Sequence, residues 1–148
     1  MKTLYTVALL LLIPLAAPAQ QPDRVHLQSP LARQRHLPFS SGVVVGNTLY
    51  IAGVTGVDPT TKGPVTPTEE ARLMMDRVKA VVEQAGMKMD DIVSLQVYCT
   101  DLTTYAAFNG VYETYFRGDY PARAFVGASS LLFGARYEIM GIAVRASK

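Results

Sequence analysis

With one cysteine in 148 residues, Cys99, the chain has no internal disulfide to staple its fold. Histidine is nearly as scarce. His26 and His36 both precede residue 38, so the remainder holds no imidazole to activate a serine or cysteine nucleophile. No glycine-rich phosphate loop is present, and no Cys or His cluster has metal-ligand spacing. Neither sign of charge is in excess, with 14 Lys+Arg against 12 Asp+Glu. That balance gives no drive towards nucleic acid or an anionic membrane. The apolar run at residues 7–15 falls well short of the roughly 20 residues needed to span a bilayer.

That short run lies between Lys2 and the small residues Ala17-Pro-Ala19, the layout of a secretory signal peptide over residues 1–19. The expected product is exported, periplasmic or secreted, and free of the membrane once cleaved. No cysteine follows the cleavage point, so no lipid anchor is expected. Cleavage leaves 148 − 19 = 129 residues, the size of one domain.

Residues 20–37 are polar and lack either periodicity, which predicts a flexible leader to a domain over residues 38–148. Apolar stretches at 43–45 and 48–52 flank Gly46-Asn47 and predict a β-hairpin. Residues 53–64, rich in Gly, Pro, Asp and Thr, predict a loop. Thr66, Pro67 and Glu69 make a helix start with a capping box, and apolar positions from Ala71 to Ala85 follow at helical spacing until Gly86. A strand is expected over residues 92–100, with Val93, Leu95, Val97 and Cys99 on one face; that phase makes Cys99 a buried hydrophobe. A second helix is expected over residues 104–116, where Gly110 suggests close packing. Arg136 reads as a solvated residue before the last strand. The resulting order is β-β-α-β-α-β-β: one sheet carrying two helices on one face, with other subunits covering the other face.

The last two strands, residues 122–127 and 137–144, are apolar at nearly every position except Arg123 and Glu138. A lone buried ion costs several kcal/mol, on the order of the penalty for an uncompensated charge, unless it is paired or faces a wet pocket. A guanidinium can grip a carboxylate at two points, and a carboxylate can deprotonate a water. If both line one pocket, they make a site for a small acid that reacts with water. A structural ion pair, or two side chains at solvated sheet edges, fits the same pattern. Asn109 adds a polar group at the border of the second helix's apolar stripe.

Five segments carry a more specific signal: GNTLYIAG at 46–53, DLTTYAAFN at 101–109, YETYF at 112–116, YPAR at 120–123 and YEIMGIAV at 137–144. Together they resemble the YjgF/Rid family of RidA-like reactive-intermediate deaminases, over residues 38–145. The resemblance implies an α+β fold of chorismate-mutase-like (YjgF-like) type: a single mixed sheet, two helices on one face, and a homotrimer with ligand clefts between subunits. It also implies hydrolysis of small 2-imino and 2-enamino acids, of the 2-iminobutanoate/2-iminopropanoate type, to 2-oxo acids and ammonia, without metal or organic cofactor. On that resemblance Arg123 binds the substrate carboxylate and Glu138 activates the attacking water. Gly53, Asn109 and Phe125 fall at cleft positions, and Phe39 keeps an aromatic wall without the usual hydroxyl.

Ser41, Ala52 and Val54 replace residues that are more often polar in the family, and Phe125 replaces a frequent cysteine, which narrows or shifts the cleft. They leave open an alternative, a non-catalytic exported trimer that binds a small carboxylate or a protein partner. Glu138 speaks against it, since a pure carboxylate binder gains nothing from a nearby anion. Ribonuclease activity, ascribed to some relatives, lacks support from the near-neutral charge.

Overall fold

A computed structural model describes residues 23–57 and 66–146. In chain order the elements are β1 (Arg24–Leu27), α1 (Pro30–Gln34), β2 (Gly42–Val45), β3 (Thr48–Thr55), α2 (Pro67–Gln84), β4 (Ile92–Cys99), α3 (Tyr105–Tyr112), β5 (Ala122–Gly127) and β6 (Tyr137–Val144). The six strands form one mixed sheet in the order β1-β2-β3-β6-β4-β5. Only β4 and β5 run parallel; every other neighbouring pair is antiparallel. The fold is therefore α+β, with one mixed sheet and few helices.

Local chemistry accounts for the element boundaries. At the start of α2 the Glu69 N–H donates to Thr66 Oγ1 (3.2 Å), and the Thr66 N–H donates to Glu69 Oε2 (2.9 Å). This satisfies two of the donors that a helix start leaves orphaned. The hairpin turns at Gly46, whose φ of 61° is open to glycine at little cost, and pairs Val45 with Thr48. Both longer helices cover one sheet face. Met74, Met75, Val78 and Val82 of α2, with Phe108 and Val111 of α3, meet Leu49, Ile51, Leu95, Val97, Tyr137 and Ile139 in a single buried core. Cys99 lies in the same core as a free thiol.

Five expectations need correction. The leader is built into the fold: β1 adds a strand to β2, and Leu27 and Ala32 are buried. Ser41 explains why, since its Oγ accepts the Ser29 N–H (2.9 Å) and its own N–H donates to the Leu27 carbonyl (2.8 Å). Strand β3 continues to Thr55 through a bulge between Ile51 and Val54, where a loop was expected. A register irregularity between Ile92 and Ser94 turns Val93 outward, 47 % exposed, and gives its core place to Ile92. Gly110 is exposed, and a Cβ there would meet nothing within 4 Å, so close packing does not explain it. The regular part of α3 ends at Tyr112 and tightens into a 3-10 turn over Glu113–Tyr115. The expected signal peptide, residues 1–19, lies outside the described residues.

Candidate active site

Strand register decides where the two charged candidates go. Arg123 pairs with Leu95, which is 1 % exposed beneath the helices, so Arg123 points to the helix-covered face. Glu138 pairs with Tyr98, three residues further along β4, an odd offset that puts it on the opposite face. Two strand spacings of about 4.8 Å and three residues at about 3.3 Å separate their Cα atoms by about 14 Å. The sheet stands between them. Within one chain Arg123 and Glu138 do not share a pocket, so a single copy does not meet the condition that the sequence set for a joint site.

Each charge instead organises its own half-site. Arg123 lies among four aromatic rings, its guanidinium carbon 4.5 Å from the Tyr112 ring centre, 5.5 Å from Phe108, 5.7 Å from Tyr105 and 5.8 Å from Phe125. Such stacking holds a cation in place without neutralising it, so its hydrogen-bond edge stays available. Its Nη2 donates to the Tyr105 hydroxyl at 3.2 Å. Beside it is a hollow of about 390 Å³ lined by Asn109, Tyr112, Glu113, Tyr120 and Pro121. Asn109 Oδ1 and the Tyr112 hydroxyl are buried without a hydrogen-bond partner among the described residues. A buried orphan of this kind costs about 1–3 kcal/mol, and two beside one cation mark a place suited to a polar guest. Burial pushes the Tyr112 phenol up to about 12, so it is a neutral hydroxyl at ordinary pH. Thus Arg123, Asn109 and Phe125 lie together on the helix-covered side.

The second half-site joins Glu138 to Gly53. Gly53 lies at the bulge of β3, and a Cβ on it would collide with Glu138 Oε1. Only a glycine lets the carboxylate rest against that main chain. Gly53 also reaches the helix side, where with Phe39 it lines a cavity of about 1040 Å³ between α1, α2 and β3 that Glu138 does not enter. Phe39 is half exposed at its edge. Arg77, on another wall, is occupied by the carbonyls of Thr55 (2.7 Å) and Val57 (2.8 Å), so it anchors the chain after β3.

Two features escaped the sequence reading. Tyr112 reads as a member of the apolar helical stripe and Tyr105 carries no local mark, yet Arg123 stacks on the first ring and donates to the second hydroxyl. Glu70 is 1 % exposed, and its carboxylate accepts the N–H groups of Arg136 (2.5 Å) and Tyr137 (3.2 Å) and the Arg136 guanidinium (2.6 Å). Arg136 is thus an ion-pair partner locking β6 to α2, not a merely solvated residue. Among the described residues no group of three His, Cys, Asp or Glu could hold a metal ion.

Comparison with known proteins agrees with this architecture. Residues 30–145 match the family described as Endoribonuclease L-PSP, a span that includes α1. A Dermatophagoides farinae protein named 2-iminobutanoate/2-iminopropanoate deaminase is 38% identical over 125 residues, covering 83% of this chain and 97% of its own. An Escherichia coli K12 protein of the same name is 38% identical over 112 residues, covering 73% and 88%. The crystal structure of E. coli TdcF with bound serine superimposes with a TM-score of 0.69 at 35% identity, covering 74% of this chain and 89% of that one. Sequence, fold and curated relatives agree: the chain belongs to the YjgF/RidA family.

Proposed function

We propose that this protein hydrolyses small 2-imino and 2-enamino acids to 2-oxo acids and ammonia, at sites assembled between copies of the chain. The observation that carries the reading is the division of the site: a fixed guanidinium on one sheet face and a carboxylate seated on Gly53 on the other. A small carboxylate ligand needs the first group, and water activation needs the second. Two copies supply both.

The open sheet face supports such an assembly. Tyr50, Ala122, Ala124, Val126, Met140 and Ile142 fall on it by register, with Tyr50 and Val126 about half exposed. An apolar face of this kind is stabilised by cover, and a homotrimer would provide it. Asn109 and Phe125 would complete the Arg123 side of each cleft, and Gly53 the Glu138 side.

The chemistry needs little more. A protonated imine at C2 is already electrophilic, and Arg123 holds the adjacent C1 carboxylate to fix its position. Glu138 takes a proton from water as the oxygen bonds to C2, and the C=N electron pair moves to nitrogen. It then returns that proton to nitrogen and takes the hydroxyl proton as the C–N bond breaks, C=O forms and ammonia leaves. No step calls on a metal or organic cofactor.

The test generates 2-iminopropanoate in situ with semicarbazide as a competing trap. Purified protein is expected to divert the imine to free pyruvate, and Arg123→Ala to abolish the effect. A wild-type rate no better than that variant would instead favour the non-catalytic carboxylate binder. Ribonuclease action would persist in Arg123→Ala and weaken steeply with salt. We further propose export with cleavage after Ala19, which leaves β1 whole; N-terminal sequencing of exported protein should begin at Gln20.

A further inference from the structure

Tyr105 opens α3, where its ring is 44 % exposed and packs edge-on against Phe125 at a centroid distance of 4.9 Å. Its oxygen accepts a hydrogen bond from Arg123 Nη2 at 3.2 Å. Asn109, one turn along the helix, also favours the charged form of the phenol, and with Arg123 holds it below its usual value. Arg123 thus acts on Tyr105 as a donor, directed at one lone pair of the phenol oxygen. A phenol oxygen has one proton besides. That proton is the hydroxyl's own to donate, beside the guanidinium that attracts an anion.

We propose that Tyr105 is a substrate-binding residue, whose hydroxyl donates a hydrogen bond to the same carboxylate that Arg123 grips. The inference rests on the reading of Arg123 as a carboxylate site, and it extends that site to a residue of neighbouring α3. The arrangement is pre-organised. The edge-on contact with Phe125 fixes the ring, the Arg123 bond fixes the oxygen, and no rotamer change is needed when the ligand arrives. A donor with a weakened grip on its proton is also well matched to a carboxylate oxygen, giving a charge-assisted hydrogen bond. The site should thus discriminate between an acid and its amide by more than the guanidinium alone achieves.

Tyr105→Phe isolates the hydroxyl, since the ring contacts with Phe125 and Arg123 remain. The full chain in its native assembly is titrated calorimetrically with 2-oxobutanoate, an unreactive carboxylate of product type, and with the neutral 2-oxobutanamide. The variant is expected to bind 2-oxobutanoate about five- to tenfold more weakly, the usual effect of losing one hydrogen bond to a charged acceptor. Affinity for the amide and the thermal midpoint should be unchanged, which separates ligand contact from a structural role. Equal affinity of both proteins for 2-oxobutanoate would overturn the proposal. So would tighter binding by the variant, because the hydroxyl would then be competing with the ligand for Arg123. No binding by wild type would remove the carboxylate site and this proposal together. Binding with the predicted loss, but no imine turnover, would reject the deaminase reading while leaving Tyr105 in place.

Discussion

The Glu138 carboxylate rests directly against the main chain of Gly53, in space that a side chain on residue 53 would fill. The contact spans two neighbouring strands, β3 and β6, and depends on the bulge that follows Ile51. Gly53→Ala should therefore displace the carboxylate without unfolding the sheet, since the colliding group is the free end of a flexible side chain. Imine turnover is expected to fall about tenfold or more, the scale of a misplaced catalytic group. The thermal midpoint should shift little, as differential scanning fluorimetry can check.

Because Arg123 and Glu138 face opposite sides of one chain's sheet, defects in the two should complement each other. Arg123→Ala and Glu138→Gln are each expected to be inactive alone. Unfolded together and refolded as mixed assemblies, they should recover about a quarter of wild-type activity, the random chance (½ × ½) that a two-copy site draws both intact residues. Recovery of nothing would place both groups in a site within one chain.

Val126 lies on the open face, 45 % exposed, beside Tyr98 and away from Arg123. Val126→Asp puts a charge where another copy is expected to pack. Sedimentation should show folded monomer in place of the assembly, with activity lost although both charged residues remain.

Glu70→Ala removes the acceptor shared by Arg136 and Tyr137. Breaking a buried ion pair leaves its partners unmatched and should cost about 3 kcal/mol. Glu70→Gln keeps one oxygen for the two N–H groups and should cost less. Urea denaturation measures both, and the site on α3 and β5 should be unaffected.

The tyrosines should titrate in separate phases, followed by absorbance near the phenolate band. Asn109 and Arg123 lower Tyr105, so it should ionise first, and Tyr105→Phe should delete that phase. Tyr112 is raised by burial to about 12; Tyr115 is raised by burial and by the Asp76 carboxylate it donates to, and Tyr137 by burial. A raised folded-state value means that Tyr112's contribution is fully present below its ordinary 10.0 and is lost as pH climbs through about 12. Stability should thus fall over that interval, and less so in Tyr112→Phe.

Much of this was legible in the residues themselves. The Thr66–Glu69 box, the Gly46 turn and the alternation along β4 and β6 are set by sterics and hydrogen bonds a few residues apart. Arg123 and Glu138 stood out as charges in apolar strands for the same local reason. The leader was misread because its polarity is genuine, while its order depends on Ser41, twelve residues on from Ser29.

What a single strand cannot reveal is its side. Alternation says that Arg123 faces away from Ala122 and Ala124, but only pairing with Leu95 says that this is the helix side. Pairing with Tyr98 sends Glu138 the other way. Residue chemistry thus determined which groups could do the work, because charge and shape belong to each side chain alone. Tertiary structure decided that one copy cannot bring them together, because register is a relation between distant segments and a three-residue offset reverses the face.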